Sequence, residues 1–403
     1  MKPKYYPFSE HKITLTSIDP DALYILKMLD DAGHTAYLVG GSVRDLLLKR
    51  QPKDFDISTS ATPTEIKRIF PQCLLIGRRF RLAHIRFGKK TFEVSTFRRG
   101  ETESEDLIVR DNEWGSEAED VLRRDFTING LFYRYKDQTI IDYVEGFEDA
   151  KQHLLRSIGH PQVRFKQDPV RMIRLIKFRA RFDFAIDPLA QQALMDCRHD
   201  ILHSSSARVL EEILRMLESG ASLPFFQNLI DFRFLSILTP ALGEYLEQQD
   251  PTVLFSFLAL VDSLALDHRE MELPRPVLLA ALIFAPFLHH VRVSTEGSRE
   301  ALHLGEIQER AYFVIHDLFK PFIAIPRKMA GAVGMILTSQ FRFAPIPPIT
   351  EKAGPFRIPK LPDFRLSLKF FQLRSLLDEE LLPLHAKWLE KYESRKLSRS
   401  RRR

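Results

Sequence analysis

Apolar spacing divides the chain into two differently patterned parts. Up to about residue 150, short runs with strand alternation are interleaved with short helical runs. Asp19-Pro20 opens a helix, with Asp as the capping residue and Pro at the first helical position. Leu23, Leu26, Met28 and Leu29 supply its apolar side chains, and Gly33 ends it. A strand over 35–39 runs into Gly40-Gly41 and a short helix, and a second strand carries Asp54-Phe-Asp-Ile57. Thr62-Pro-Thr-Glu65 is a capping box for a helix reaching about Phe70. Strands are predicted over 73–76, 82–87, 91–97 and 140–143, and an amphipathic helix over 120–132. Residues 1–18 read as an irregular arm and the acidic stretch 101–120 as a loop.

From Asp149 onward the period becomes helical. Helices are predicted from Asp168-Pro169 and over 207–218, 224–234, 252–266, 275–287 and 306–319. A Pro-rich break over 344–361 precedes a last helical region, 362–392. The fold class expected is α+β: a small mixed sheet with helices as head, then an all-α neck and body, then a basic disordered tail. The expected divisions are 1–18 arm, 19–150 head, 151–222 neck, 223–392 body and 393–403 tail.

Composition narrows the class. The longest apolar run, Val277 to Leu288, contains Pro286 and suits a buried helix better than a membrane span. The N-terminus lacks the apolar stretch of a secretory signal, and two cysteines exclude a disulfide framework or Cys-rich zinc site. A reducing cytoplasm is expected. The net charge of +6 resides in residues 395–403, which hold six basic residues and no acid. Such a tail neutralises phosphates without sequence preference, although a solubilising end has the same composition.

The chemistry centres on Gly40-Gly41 and the acids that follow. Two glycines let backbone N–H groups close on an anion, with a helix N-terminus behind them. Strand alternation turns Asp54 and Asp56 to one side and Phe55 and Ile57 to the core. Paired carboxylates repel unless a cation joins them, and Mg²⁺ binds carboxylate and triphosphate oxygens together. The combination implies metal-dependent nucleotidyl transfer, with two Mg²⁺ expected. Glu93 and Asp125 are both candidates for a third carboxylate, though Asp125 beside Arg123 and Arg124 also reads as a structural ion pair. Arg44 is placed to grip phosphate, and Asn129 to reach a ribose hydroxyl or to serve as a buried amide. Asp168 and Arg171, three apart, offer an acceptor and donors to a base edge; an N-cap and a surface residue would have the same spacing. Basic residues Arg171, Arg174, Lys177 and Arg181 form a stripe. With Arg78, Arg79 and Arg81, set among phenylalanines, and Arg399, Arg401, Arg402 and Arg403 in the tail, Lys177 and Arg181 are the expected RNA contacts.

Leu38-Val-Gly-Gly-Ser-Val-Arg-Asp-Leu-Leu-Leu48, Lys53-Asp-Phe-Asp-Ile-Ser-Thr-Ser-Ala-Thr-Pro63, Arg123-Arg-Asp-Phe-Thr-Ile-Asn129 and Asp168-Pro-Val-Arg-Met-Ile-Arg174 occur in this order. Together they resemble the class II tRNA nucleotidyltransferase/poly(A) polymerase family over about residues 19–220. The segment Leu74–Ile85 and the Arg-rich end resemble the bacterial poly(A) polymerase branch. The resemblance implies that Asp54 and Asp56 bind metal, with Asp125 or Glu93 as third acid. It implies that Gly40, Gly41, Arg44 and Arg124 hold triphosphate, that Asp168 and Arg171 read the base, and that Arg174 lies near the phosphates. Lys49 stands where the family commonly has Gly, and Gln167 where it commonly has Glu. The implied reaction is template-independent addition of AMP from ATP to RNA 3′ ends, with RNA-decay proteins as partners and a monomeric chain. A CCA-adding enzyme and an inactive RNA-binding adaptor are the alternatives.

Overall fold

The computed structural model describes residues 2–77, 82–99, 113–267, 273–295, 302–346, 350, 358 and 364–400. By internal contacts the chain divides into two compact units, Met1–Asp200 and Ile201–Arg403.

The first unit is built on an eight-stranded sheet. Its strands are β1 (Lys4–Tyr6), β2 (Ala36–Val39), β3 (Asp56–Thr59), β4 (Leu74–Ile76), β5 (Leu82–Phe87), β6 (Lys90–Thr96), β7 (Leu131–Arg134) and β8 (Thr139–Asp142), in the spatial order β1-β8-β7-β2-β3-β6-β5-β4. β3 and β6 run parallel; every other neighbouring pair is antiparallel. Around it lie α1 (Phe8–His11), α2 (Pro20–Asp31), α3 (Gly41–Leu47), α4 (Pro63–Ile69), α5 (Glu117–Leu122), α6 (Gly146–Lys151), α7 (Pro161–Gln167), α8 (Val170–Phe182) and α9 (Pro188–Cys197). A two-stranded parallel piece joins β9 (Leu154–Leu155) and β10 (Ala185–Ile186).

Alternation along β2 gives the sheet two cores. Ala36 and Leu38 pack with Ile25, Leu29, Val43 and Ile57 on one face. Tyr37 and Val39 pack with Phe97, Phe132 and Ile158 on the other. The Tyr37 and Phe132 rings stack at 5.3 Å, a contact worth about 1 kcal/mol beyond the area it buries. The capping box at α4 is present as the sequence predicts, Thr62 and Glu65 each satisfying the other's backbone N–H.

Three expectations for this unit are corrected. Residues 1–18 are not an irregular arm: β1 pairs with β8, Tyr5 opposite Ile141, and closes that edge of the sheet. The acid-bearing strand begins at Asp56, so Asp54 lies just before it. The single helix expected over 120–132 is three elements: α5, a 3-10 turn over Thr127–Asn129, and β7. The break falls where arginine side chains from α7 and α8 take carbonyls that a continued helix would have used.

The second unit is helical: α10 (Ser206–Leu217), α11 (Ser222–Asp231), α12 (Leu235–Leu238), α13 (Pro240–Gln248), α14 (Thr252–Leu266), α15 (Arg275–Thr295), α16 (Leu304–Phe319), α17 (Arg327–Phe343), α18 (Phe364–Leu377) and α19 (Leu382–Ser400). Helix α15 is long and apolar enough to cross a membrane, but 67% of that stretch is buried among its neighbours. It is the core helix that Pro286 suggests. The start of α11 is held by Asp262, whose carboxylate accepts from the Ser222 and Leu223 N–H groups and the Ser222 hydroxyl. Helices α13 and α17 were not expected from the sequence. Helix α19 carries a helical backbone through Ser400.

Candidate active site

Gly40 turns the chain from β2 into α3 at φ 65°, ψ −124°, a conformation closed to residues with a side chain. A Cβ there would also come within 3.1 Å of Arg124 Nη1. The Ser42 hydroxyl secures the turn by donating to the Val39 carbonyl at 3.0 Å. Val39 lies opposite Asp56 in the β2–β3 register, so the glycine turn and the acids share one end of the sheet.

The parallel β3–β6 register pairs Ile57 with Val94. It therefore sets Asp56 beside Glu93, on strands about 4.8 Å apart. The Asp56 carboxylate is accessible, yet surrounding protein mass displaces much of its solvent and pushes its pKa up to about 6, with Glu93 and then Asp54 adding to the rise. Arg124 opposes them. It reaches Ser58 Oγ at 3.3 Å, two residues along the same face of β3. Glu93 also lies 3.5 Å from His84 Nε2. Among the described residues, no three acids, histidines or cysteines form a ready-made metal cage. Mg²⁺ does not need one, since it is usually held by one or two carboxylates with water and substrate phosphate. Crowded carboxylates, with the Asp56 pKa raised among them, fit a divalent cation.

Asp125 is in a different situation. Burial alone would raise its pKa, but Arg174, with Nη2 2.7 Å from Oδ2, and hydrogen bonds from Asn129 and the Phe126 N–H bring it down to about 2. It is the ionised centre of a buried arginine network. Asn129 is a buried amide, donating to Asp125 and accepting from Arg44 Nη1 at 2.6 Å. Arg44 is only 4% exposed. Its guanidinium forks onto Asp45 Oδ1 at 2.7 and 2.9 Å and stacks on Phe178 and Phe182. Arg44 thereby ties α3 to α8.

Asp168 stands between α7 and α8, and the capping position of α8 belongs to Pro169. Arg171 is buried, its terminal nitrogens donating to the carbonyls of Arg124 at 3.0 Å and Arg123 at 2.7 Å. Lys177 lies over Phe178, while Arg181 pairs with Asp45 at 3.5 Å and stacks on Phe182. Arg78, Arg79, Arg81, Arg401, Arg402 and Arg403 lie outside the described residues, and Arg399 is described only as backbone of α19.

Two participants escaped the sequence reading. Asp120, fully buried, receives Arg123 at 2.8 Å on one oxygen and Arg124 at 2.8 Å on the other. Arg164, also buried, donates to the carbonyls of Leu122 and Arg124. The three- and four-residue spacings of Asp120, Arg123 and Arg124 were visible signals; nothing local pointed to Arg164.

A glycine turn, carboxylates on adjoining central strands and a helix bearing an acid–arginine pair define a nucleotidyltransferase head. Comparison with known proteins agrees. Residues 36–156 match the poly A polymerase head domain, and residues 183–246 match the probable RNA and SrmB-binding site of polymerase A. The chain is 33% identical to poly(A) polymerase I of Salmonella typhi, over 95% of this chain and 84% of that protein. It is 39% identical to the CCA-adding enzyme of Lactobacillus helveticus, over 52% of this chain and 53% of that one. In fold it is similar to the Bacillus stearothermophilus CCA-adding enzyme solved with CTP (TM-score 0.62, 24% identity, covering 94% of this chain and 83% of that one). The chain belongs to the class II tRNA nucleotidyltransferase/poly(A) polymerase family, and its similarity to bacterial poly(A) polymerase I runs along nearly its whole length. It is a nucleotidyltransferase that acts on RNA 3′ ends.

Proposed function

We propose that this chain is a template-independent polymerase that adds AMP from ATP to RNA 3′ ends and releases pyrophosphate. The observation that carries the chemistry is the crowding of Asp54, Asp56 and Glu93 beside the Gly40 turn, which raises Asp56 and leaves a carboxylate group short of cations. Asp54 and Asp56 would hold Mg²⁺, with Glu93 as third acid. When bound there, the metal supplies activation of the attacking hydroxyl and charge stabilisation for pyrophosphate. The 3′-oxygen bonds to the α-phosphorus as the bond to pyrophosphate breaks, the hydroxyl proton passing to solvent. The Gly40-Gly41 turn and Arg124 receive the outer phosphates, and Arg44 supports them from behind. Asp168 and Arg171 select the base.

Adenylate is favoured over CCA because similarity to poly(A) polymerase I runs nearly end to end, while that to the CCA-adding enzyme above spans about half the chain. The helical unit and the basic end hold RNA through its phosphates, with strong salt dependence and little sequence preference. A monomeric cytoplasmic enzyme working among RNA-decay proteins suits this activity.

The likeness of the fold to CCA-adding enzymes keeps a second reading in play: the same chemistry confined to tRNA ends. Incubation with each nucleotide, a generic oligonucleotide and a truncated tRNA separates the two. Long A tracts on the oligonucleotide are expected; C addition restricted to the tRNA would replace polyadenylation with CCA addition. Absence of all incorporation would leave an RNA-binding adaptor.

A further inference from the structure

The carbonyls of Leu122, Arg123 and Arg124 are acceptors left over where α5 ends. Two buried arginines from two other helices take them. From α7, Arg164 Nη2 donates to Leu122 O at 3.0 Å and Arg124 O at 3.2 Å. From α8, Arg171 donates to Arg124 O and Arg123 O. The Arg124 carbonyl thus serves both guanidiniums. Arg164 is 4% exposed, and its Nη1 is steadied by Gln167 Oε1 at 3.0 Å. Burial, and then the neighbouring Arg171 charge, pull the Arg164 pKa down to about 10, with Asp125 and Asp168 opposing.

The placement of the Arg171 guanidinium is therefore tied to backbone that Arg164 also holds. We propose that Arg164 is a positioning residue for base selection, fixing the 122–124 backbone against which Arg171 is aimed. The proposal rests on the reading of Asp168 and Arg171 as the base-selecting pair. The shared acceptor adds a second role. When Arg171 turns the nitrogen on the Arg124 carbonyl toward a base, Arg164 keeps that carbonyl satisfied, while the second Arg171 nitrogen stays on the Arg123 carbonyl. Gln167 tunes the hold through a neutral hydrogen bond.

The test compares the parent with Arg164→Lys, Arg164→Met, Gln167→Leu and Gln167→Glu. Lysine keeps the charge but lacks the fork. Calorimetry gives ATP and CTP affinities, incorporation kinetics give KM for RNA and for each nucleotide, and melting curves report folding. Expected for Arg164→Lys is a fold intact by melting and an ATP-over-CTP preference reduced about tenfold, the effect of losing one charge-assisted bond. Its KM for RNA should stay within about twofold. Gln167→Leu should move the preference the same way by less, and Gln167→Glu should retain it. Should Arg164→Met fail to fold, Arg164→Lys and Gln167→Leu decide. Unchanged preference in folded Arg164→Lys overturns the proposal. So does equal weakening toward ATP, CTP and RNA, or a parent that binds ATP and CTP equally. A parent that binds nucleotides but incorporates none overturns the polymerase reading instead, and the affinity ratios still judge Arg164.

Discussion

Asp56 and Asp125 are the same side chain in one site, and their surroundings drive them apart. Asp56 faces two other carboxylates and one arginine, and its proton is held up to about pH 6. Asp125 is enclosed by Arg174, Asn129 and a backbone N–H, and stays ionised down to about pH 2. A carboxylate short of positive charge is built to receive a cation; one already surrounded by it is built to hold its neighbours. Under the proposed function, the difference separates acids that would do chemistry from an acid that organises arginines, and it favours Glu93 over Asp125 as the third member of the reacting set.

Substitutions can break this contrast. Replacing both Asp54 and Asp56 by alanine should lower nucleotide incorporation by about a thousandfold or more, while melting stays level or improves as like charges are removed. Survival of incorporation would detach the chemistry from these residues. Asp125→Asn should do the opposite, leaving Arg174 without its carboxylate and costing about 3–5 kcal/mol in denaturant unfolding. A nearly unchanged midpoint would show that Asp125 is not structural. Glu93→Gln should reduce incorporation about ten- to a hundredfold with little change in stability, and should lower the pH at which metal-free Asp56 titrates.

The sharpest test of the contrast uses pH without metal, because the two acids have opposite signs. The folded pKa of Asp56 is raised, so the native state binds its proton more tightly than the unfolded chain does. Stability associated with Asp56 falls as pH rises from about 4 to about 6, and Asp56→Asn should remove that slope. The folded pKa of Asp125 is depressed. It contributes about 2 kcal/mol that is present above about pH 4 and lost as pH falls toward 2. Chemical denaturation across pH 2–7 reads both arms. The smallest effect expected is that of deleting residues 396–403, which hold five basic residues. Turnover should hold, while the log–log salt slope of RNA binding flattens by up to about 3 units.

Local grammar made much of the head legible. The caps at Asp19 and Thr62, the glycine turn and the alternation around Asp56 depend on neighbours within a few residues, and the structure has them where the sequence puts them. What was not legible depends on distant partners. β1 is three residues long, and β8, which completes it, lies some 135 residues further on. The apolar pattern over 120–132 satisfies a helix, and only side chains from α7 and α8 interrupt it. The place of Arg44 beside the turn is local and was legible, whereas the rings that bury it come from α8 and were not. Arg164 carried no signal because its targets are backbone carbonyls, which every residue has.

The parallel pairing of β3 with β6 has a consequence for how the enzyme comes into being. One side of that seam is a set of antiparallel strands ending at Asp56, and the other is the antiparallel β4–β5–β6 sheet carrying Glu93. The β4–β5–β6 side zips through short turns and the β3–β6 seam spans 37 residues, so the acids can meet before β2 pairs with β7, 95 residues away, or β1 with β8. Joining non-local strands costs loop entropy before any contact repays it, which makes the β2–β7 and β1–β8 pairings the late steps. An intermediate with its carboxylates gathered but its β7–β8 edge undocked follows, and amide exchange along β7 would time completion of the head better than exchange along β6.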